Sequence, residues 1–456
     1  MASERIEELK ALGDQVVARA VRAGADVAEA AVREGSHLST KVRMQEAELV
    51  EEAGSRSVGL RVMLGQQVAV TYTSDMSEAG LERLALDAVE LARLSQPDAF
   101  AGPPDPSLLA AEDALPDLDT FDPEVSRVRA GEALGLAIEA ERAALDLDPR
   151  ITNSEGSTFT RAAGLSALVT SGGFRGGSEG SYASLVVNPV AEDEGGKKRS
   201  GYYWDARRHF DEMRPAVEIG EEAARRTLRK LGARKLPTAQ MPVVFAPEAA
   251  RTIVGLFAGC VNGGAVWRRS SYLLGRVGTE VASPLVTLVD DPLIPRAPGS
   301  RAYDGEGLAA HRNVVVERGR LALYLTDTYS GRKLEVPSTA SASRGASGGV
   351  GPSTTNFFLE PGDVSAEALL ADTPRGLYVT EMMGFGFNGV TGDFSRGASG
   401  FLIEGGELTQ PVSEVTISLN LDTMLKRIDA VASDLDLRTA TASPTFRVTE
   451  MTVAGT

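Results

Sequence analysis

Histidine and cysteine are scarce in this chain. Its 456 residues include three histidines, His37, His209 and His311, and one cysteine, Cys260. A zincin-type hydrolase needs two imidazoles one helical turn apart, so that both meet one ion, and a carboxylate to activate the bound water. No two of these histidines lie within helical reach of each other. A lone cysteine excludes an intrachain disulfide and fits a reducing, cytosolic compartment. Cys260 falls late in an apolar run, the usual place of a small buried hydrophobe rather than a nucleophile. Positive charge is also in short supply, with 47 Lys and Arg against 63 Asp and Glu and a formal charge of −16. That balance argues against nonspecific binding to nucleic acid or anionic membrane, both of which need basic surface. No apolar run is long enough to span a membrane. The acidic N-terminus, Met1 to Glu8, lacks the basic-then-apolar layout of a secretory signal. There is no G-x-S-x-G elbow and no dinucleotide fingerprint. The Gly172–Gly177 run lacks the Lys-Ser/Thr element of a phosphate loop.

What remains is a globular composition, 43% apolar, on a chain long enough for two domains. Apolar periodicity predicts a helix over 4–22, with strands over 25–32 and 39–50, a turn at 54–57 and a hairpin closed across Gly65-Gln66. Ser77 is placed to cap a helix over 78–95. Prolines crowd residues 96–123, which read as an extended connector. A helix over 123–144 follows, then strands near 163–171, 179–190 and 199–208 and a helix over 210–232. Glu221, Glu222, Arg225 and Arg226 on that helix read as surface ion pairs of little weight. Beyond a helix over 247–261 the pattern is mostly strand. The Gly/Ser-rich run 338–353 reads as a surface loop. The expected fold is α+β: an N-terminal α+β domain over residues 1–235, with its antiparallel sheet, and a large, mostly antiparallel β domain over 236–456.

The densest local signal is the run from Glu381 to Glu407. Glycines recur at 384, 386, 389, 392, 397 and 400, with Asn388, Thr391, Asp393, Ser395 and Arg396 between them. Glycine lets another backbone approach, and the short polar residues bond the loops they occupy. Such a run is either a tight corner of a sheet or a surface that accepts an extended peptide. Asp393 and Arg396 either line that surface or pair with each other.

The segment N-G-V-T-G-D-F-S-R-G-A-S-G-F, residues 388–401, resembles the C-terminal signature of the TldD/PmbA family, on the PmbA (TldE) side. Leu231-Gly-Ala-Arg-Lys-Leu-Pro-Thr238, Asp304-Gly-Glu-Gly307, Tyr324 to Lys333 and Glu450 to Gly455 agree in order. The resemblance implies a two-chain assembly in which a TldD-type subunit brings the zinc. TldD-side relatives carry His-Glu-x-x-x-His in a mid-chain helix and a cysteine ligand near the C-terminus. The matching helix here has Glu248 and no histidine, and residues 435–443 hold no cysteine. The resemblance therefore implies no catalytic residue and no metal in this chain. On the same resemblance, zinc is expected in a TldD-like partner, and Asn388, Gly389, Thr391, Gly392, Asp393, Ser395 and Arg396 are expected to line a peptide-binding cavity. Heterodimer and homodimer both stand as assemblies. A non-proteolytic scaffold or regulator and a self-sufficient peptidase stand as other readings of function.

Overall fold

Long alternating segments in the first half of the chain form strands far longer than average. The computed structural model describes residues 2–455. Helix α1 (Ala2–Arg22) leads into β1 (Val27–Arg43), β2 (Glu46–Leu64) and β3 (Gln67–Thr73). Helix α2 (Glu78–Leu94) begins where the Ser77 side chain accepts the Gly80 N–H. Helices α3 (Pro123–Arg127) and α4 (Ala130–Asp146) precede β4 (Ile151–Thr170), β5 (Arg175–Glu192), β6 (Lys198–Ser200), β7 (Tyr203–Arg207) and α5 (Ala216–Leu228). These strands make one seven-stranded sheet, ordered β3-β2-β1-β4-β5-β6, with β7 also on β5. Leu9, Val16, Val17 and Ala20 of α1 bury against Ala28, Ala30 and Val32 of β1 in one core cluster. Helices α4 and α5 cover Phe159, Leu185 and Val187 in another.

The second half builds a smaller, closed sheet. Its elements are β8 (Ala239–Phe245), α6 (Pro247–Val261), α7 (Gly263–Trp267), β9 (Leu288–Asp290), β10 (Asn313–Glu317), β11 (Arg320–Leu321) and α8 (Thr328–Leu334). Then come β12 (Ala342–Arg344), β13 (Val350–Pro352), β14 (Phe357–Leu359), α9 (Ala366–Ala371), β15 (Arg375–Met383), β16 (Asp393–Glu404) and β17 (Glu407–Asn420). The chain finishes with α10 (Leu421–Lys426), β18 (Ile428–Val431), β19 (Thr441–Ala442) and β20 (Phe446–Ala454). The main sheet runs β17-β16-β15-β8-β20-β18, and β17 pairs β20 as well, so it closes on itself. Ile253, Val254 and Phe257 of α6 share a core with Val243, Phe245, Leu377 and Val379 of that sheet. The architecture is α+β.

Four local expectations are corrected. The strand expected over 39–50 runs through the real turn, at Met44 and Gln45, whose φ angles are 51° and 65°. Neither is a residue that favours this region. The buried Glu141 of α4 fixes the turn by accepting the N–H groups of Met44 (3.1 Å) and Gln45 (2.5 Å). Residues 54–57, expected as a turn, continue β2 opposite Arg33 to Ser36. The run 338–353 is not a free loop: β12 and β13 form a hairpin seated on the large sheet, and a Cβ at Gly59 would meet the Ala346 carbonyl oxygen at 2.6 Å. The helix expected from 210 starts at Ala216, because Pro215 disfavours helical geometry in the residue before it.

One buried acid makes this fold sensitive to pH. Glu306 is 2% exposed and accepts the Thr328 N–H at 2.8 Å. Burial, reinforced by Asp304, pushes its carboxyl from 4.5 up to about 7. The folded value lies above the unfolded one, so the protonated acid's contribution is intact below pH 4.5 and is lost as pH rises through about 7. Glu306→Gln keeps size and acceptor. It is expected to raise the melting temperature at pH 8 and leave it nearly unchanged at pH 4, by calorimetry; an equal shift at both contradicts the assignment.

Candidate functional site

Helix α6 starts with Pro247 in its first turn and places Glu248 at the positive end of the helix dipole. There Glu248 accepts Arg226 Nη1 at 2.9 Å and faces Arg438 Nη2 at 3.6 Å. Arg226 also bonds Glu222 at 2.9 Å. The helix face read as a surface ion-pair ladder is thus half of a junction between the two halves of the chain. Arg438 donates to the Trp204 carbonyl at 2.9 Å and pairs with Asp436 at 2.6 Å. The cations stack on aromatics: Arg226 lies 4.5 Å from the Tyr203 ring, and Arg438 lies 5.0 Å from Trp204. Burial works to raise the Glu248 carboxyl, but Arg226 and Arg438 outweigh it and hold the group below its ordinary value. A cavity of about 120 Å³ opens beside this cluster, lined by Tyr202, Arg226, Lys230, Glu248, Tyr378 and Glu381.

Two segments singled out in the sequence meet here. The start of α6 and residues 435–443, where TldD-side relatives are expected to place metal ligands, come together through Glu248–Arg438 and through Arg251 Nη1 to Thr439 Oγ1 at 3.2 Å. The donor set does not fit zinc. Zinc binds imidazole, thiolate and carboxylate. Here the carboxylates Glu222, Glu248 and Asp436 are held by Arg226 and Arg438, whose charges oppose a divalent cation. Sequence reasoning missed Arg226 and Arg438 as partners. The visible signal was Tyr202-Tyr203-Trp204, a platform for cations in a chain with 5% aromatics.

The glycine-rich residues lie at the other end of α6. Asn388 Oδ1 accepts the Val390 N–H at 2.9 Å, Thr391 donates to Asp393 Oδ2 at 2.6 Å, and Asn420 donates to the Thr391 carbonyl at 2.8 Å and to Asp393 at 3.2 Å. Those side-chain bonds hold the Asp393 carboxyl below its ordinary value. Gly389 and Gly392 stitch the loop down: their carbonyls accept the N–H groups of Tyr272 (2.8 Å) and Leu421 (2.7 Å). Gly392 takes a φ of 80°. The expected Asp393–Arg396 pairing is corrected. Three residues apart on β16, the two side chains leave opposite faces, and Arg396 lies 5.9 Å over the Phe394 ring. Ser395 bonds Gly386 through its backbone at 2.8 Å. Phe385, at 97% exposure, and Val390, at 57%, stand out at the tip. So Asn388, Thr391 and Asp393 are brought together with Asn420, apart from the Glu248 cluster, and Arg396 is not among them.

Three domain profiles of the PmbA/TldA metallopeptidases match: domain 1 over residues 28–92, the central domain over 123–231 and the C-terminal domain over 238–455. The chain belongs to the PmbA/TldD family. A metalloprotease PmbA homolog of Haemophilus influenzae is 34% identical over 450 residues, covering 98% of this chain and 96% of that one. A crystal structure from Bacteroides thetaiotaomicron, described as a candidate modulator of DNA gyrase, is 26% identical with a TM-score of 0.91, covering 98% and 99% of the two chains. TldE of Thermococcus kodakarensis shares the fold, with a TM-score of 0.87 at 21% identity over 97% and 100%. Within this PmbA/TldE-like chain the domain 1 and central profiles cover strands of one continuous sheet, because β1 pairs β4 along Glu29 to Val42.

The loop's glycines are separable by space. A Cβ at Gly386 would fall 1.7 Å from the Ser395 carbonyl oxygen and one at Gly400 1.8 Å from that of Tyr378, whereas Gly397 offers ordinary contact at 3.7 Å. Gly386→Ala and Gly400→Ala are each expected to cost roughly 1–3 kcal/mol in urea unfolding, and Gly397→Ala under about 0.5. Beneath the loop, burial pushes the Cys260 thiol up to about 12. The native protein is expected to resist a disulfide reagent at pH 8 and to titrate one thiol in urea.

Proposed function

We propose that this chain is the PmbA/TldE-type, non-catalytic subunit of a cytoplasmic TldD-type zinc metallopeptidase complex. Its partner brings the metal, and the complex degrades or processes unfolded peptides and small proteins in extended form. The observation that carries this reading is the α6 junction. Where the fold brings together the two segments expected to hold a metal in TldD-side relatives, this chain places Arg226 and Arg438 in a network of ion pairs with Glu222, Glu248 and Asp436. A second observation supports extended substrates. Strand β2 pairs β3 only from Val58 to Leu64, so Glu46 to Ser57 present an outer edge with no strand partner among the described residues. An open edge accepts an extended backbone almost regardless of its sequence.

The test is native mass measurement with zinc analysis and a peptide-cleavage assay. Each is done on the purified chain, on a TldD-like chain from the same genome and on their mixture. The expected outcome is no stoichiometric zinc and no cleavage from this chain alone, with a mixed complex that binds zinc and cuts peptides. Zinc-loaded, unaided cleavage by this chain overturns the proposal. A homodimer that leaves the partner's activity unchanged supports the non-proteolytic scaffold instead.

A further inference from the structure

A cavity of about 650 Å³ lies between the large sheet and the segment at residues 300–305. It continues into a second of about 630 Å³, sharing Gly35, Gly164, Gly180 and Arg208 with it, towards His37 and Tyr182. Register aligns Gly35, Gly164 and Gly180 in one row across β1, β4 and β5. The floor is therefore bare of side chains, and the room is elongated.

Its walls carry arginines of two kinds. Arg344 is neutralised by the buried Glu29 at 2.5 Å. Arg33, Arg208 and Arg301 have no carboxylate within ion-pair distance among the described residues. Arg208 is held over Gly180 by the carbonyls of Ala297 (2.9 Å), Thr120 (3.3 Å) and Pro298 (2.6 Å), all neutral acceptors. Arg33 donates to the Arg344 carbonyl. Arg301 buries Nε and Nη2, the edge that grips a carboxylate two-pronged, with no hydrogen-bond partner. Burial lowers all three guanidinium values; the charges of Asp304 and Asp290 offset it in part at Arg301, without an ion pair. Two acids on the same walls are committed elsewhere, and two, Asp117 and Glu179, form no ion pair among the described residues. Glu34 is taken by Arg5 at 2.6 Å, and Asp304 accepts the N–H groups of Glu306, Leu308 and Ala342. Glu179 is pushed upward by burial and by Asp117. Half-buried cations without an ion pair gain when an anion completes them.

We propose that this cavity binds the carboxylate groups of an extended acidic peptide through Arg33, Arg208 and Arg301. The elongated floor exceeds what a single phosphate fills. The overall charge of −16 opposes long polyanions such as nucleic acid, so the attraction is confined to the cavity. The inference names a substrate class for the peptide-handling role proposed above, and rests on that reading for the choice of a peptide.

The experiment uses the full isolated chain and fluorescence anisotropy. One labelled Gly/Ser peptide carries several Glu residues, and a second carries Gln at the same places. The Glu peptide is expected to bind at least about tenfold tighter, the factor one charge-assisted contact supplies. Arg33→Gln and Arg301→Gln are each expected to erase most of that margin and leave the Gln peptide unchanged, while Arg83→Gln, on the exposed face of α2, changes neither. Thermal melts accompany each variant, and Arg33→Gln decides alone if Arg301→Gln does not fold. Equal binding of the two peptides, or equal loss with Arg83→Gln, overturns the assignment. Displacement of the Glu peptide by inorganic phosphate at the peptide's own concentration reassigns the site to a free anion and overturns the peptide. No cleavage or partner enters the assay, so its failure leaves the subunit reading standing. Arginine-dependent binding without complex formation sinks that reading alone.

Discussion

A carboxylate at 1% exposure near the start of a strand constrains the whole molecule. Glu29 of β1 cannot be buried charged without partners. It has two, Arg61 of β2 at 3.2 Å and Arg344 of β12 at 2.5 Å. Burial acts to raise its carboxyl, and the two arginines overcome this and keep it ionised. Arg61 comes from the neighbouring strand. Arg344 comes from more than three hundred residues away, and to reach Glu29 the β12–β13 hairpin must seat on the large sheet. That contact fixes how the second half of the chain sits over the first.

The rest of the interface follows from the same need to balance charge. At one junction Arg226 and Arg438 are balanced by Glu222, Glu248 and Asp436 between α5, α6 and the C-terminal segment. Tyr203 and Trp204 give the guanidinium groups flat faces to lie on. At the other, Glu29 uses Arg344, and Arg33 is left beside it with only a carbonyl to bond. One interface thus holds a site where charges cancel and a cavity where they do not. The first stands where related chains are expected to hold a metal; the second is where an outside anion gains most.

Some of this was legible in the residues. Helix periods placed α1, α2 and α6, and Ser77 marked a helix start. The order of segments carried the α+β class and the family resemblance. The site was less legible. Met44-Gln45 gave no turn signal because the turn is held by Glu141, far along the chain. The run 338–353 looked like a loop because its glycines and serines are bare of pattern, yet bareness lets it lie against Gly59. Pairing of Asp393 with Arg396 was one of two readings of their spacing, and a strand sends residues three apart to opposite faces.

By itself the sequence determined what chemistry was in short supply. Three separated histidines and one cysteine limit metal ligation in any fold, and the acidic balance limits the partners a surface can attract. Local periodicity also settled most of the helices, since a helix reads neighbours three and four residues away. Only the tertiary structure decided which charges meet. Ion pairs such as Glu29–Arg344 and Glu248–Arg438 join residues far apart along the chain, and nothing in local sequence records a contact made through folding. The same holds for Arg33, Arg208 and Arg301, whose lack of an ion-pair partner became visible only once the fold had placed the acids around them.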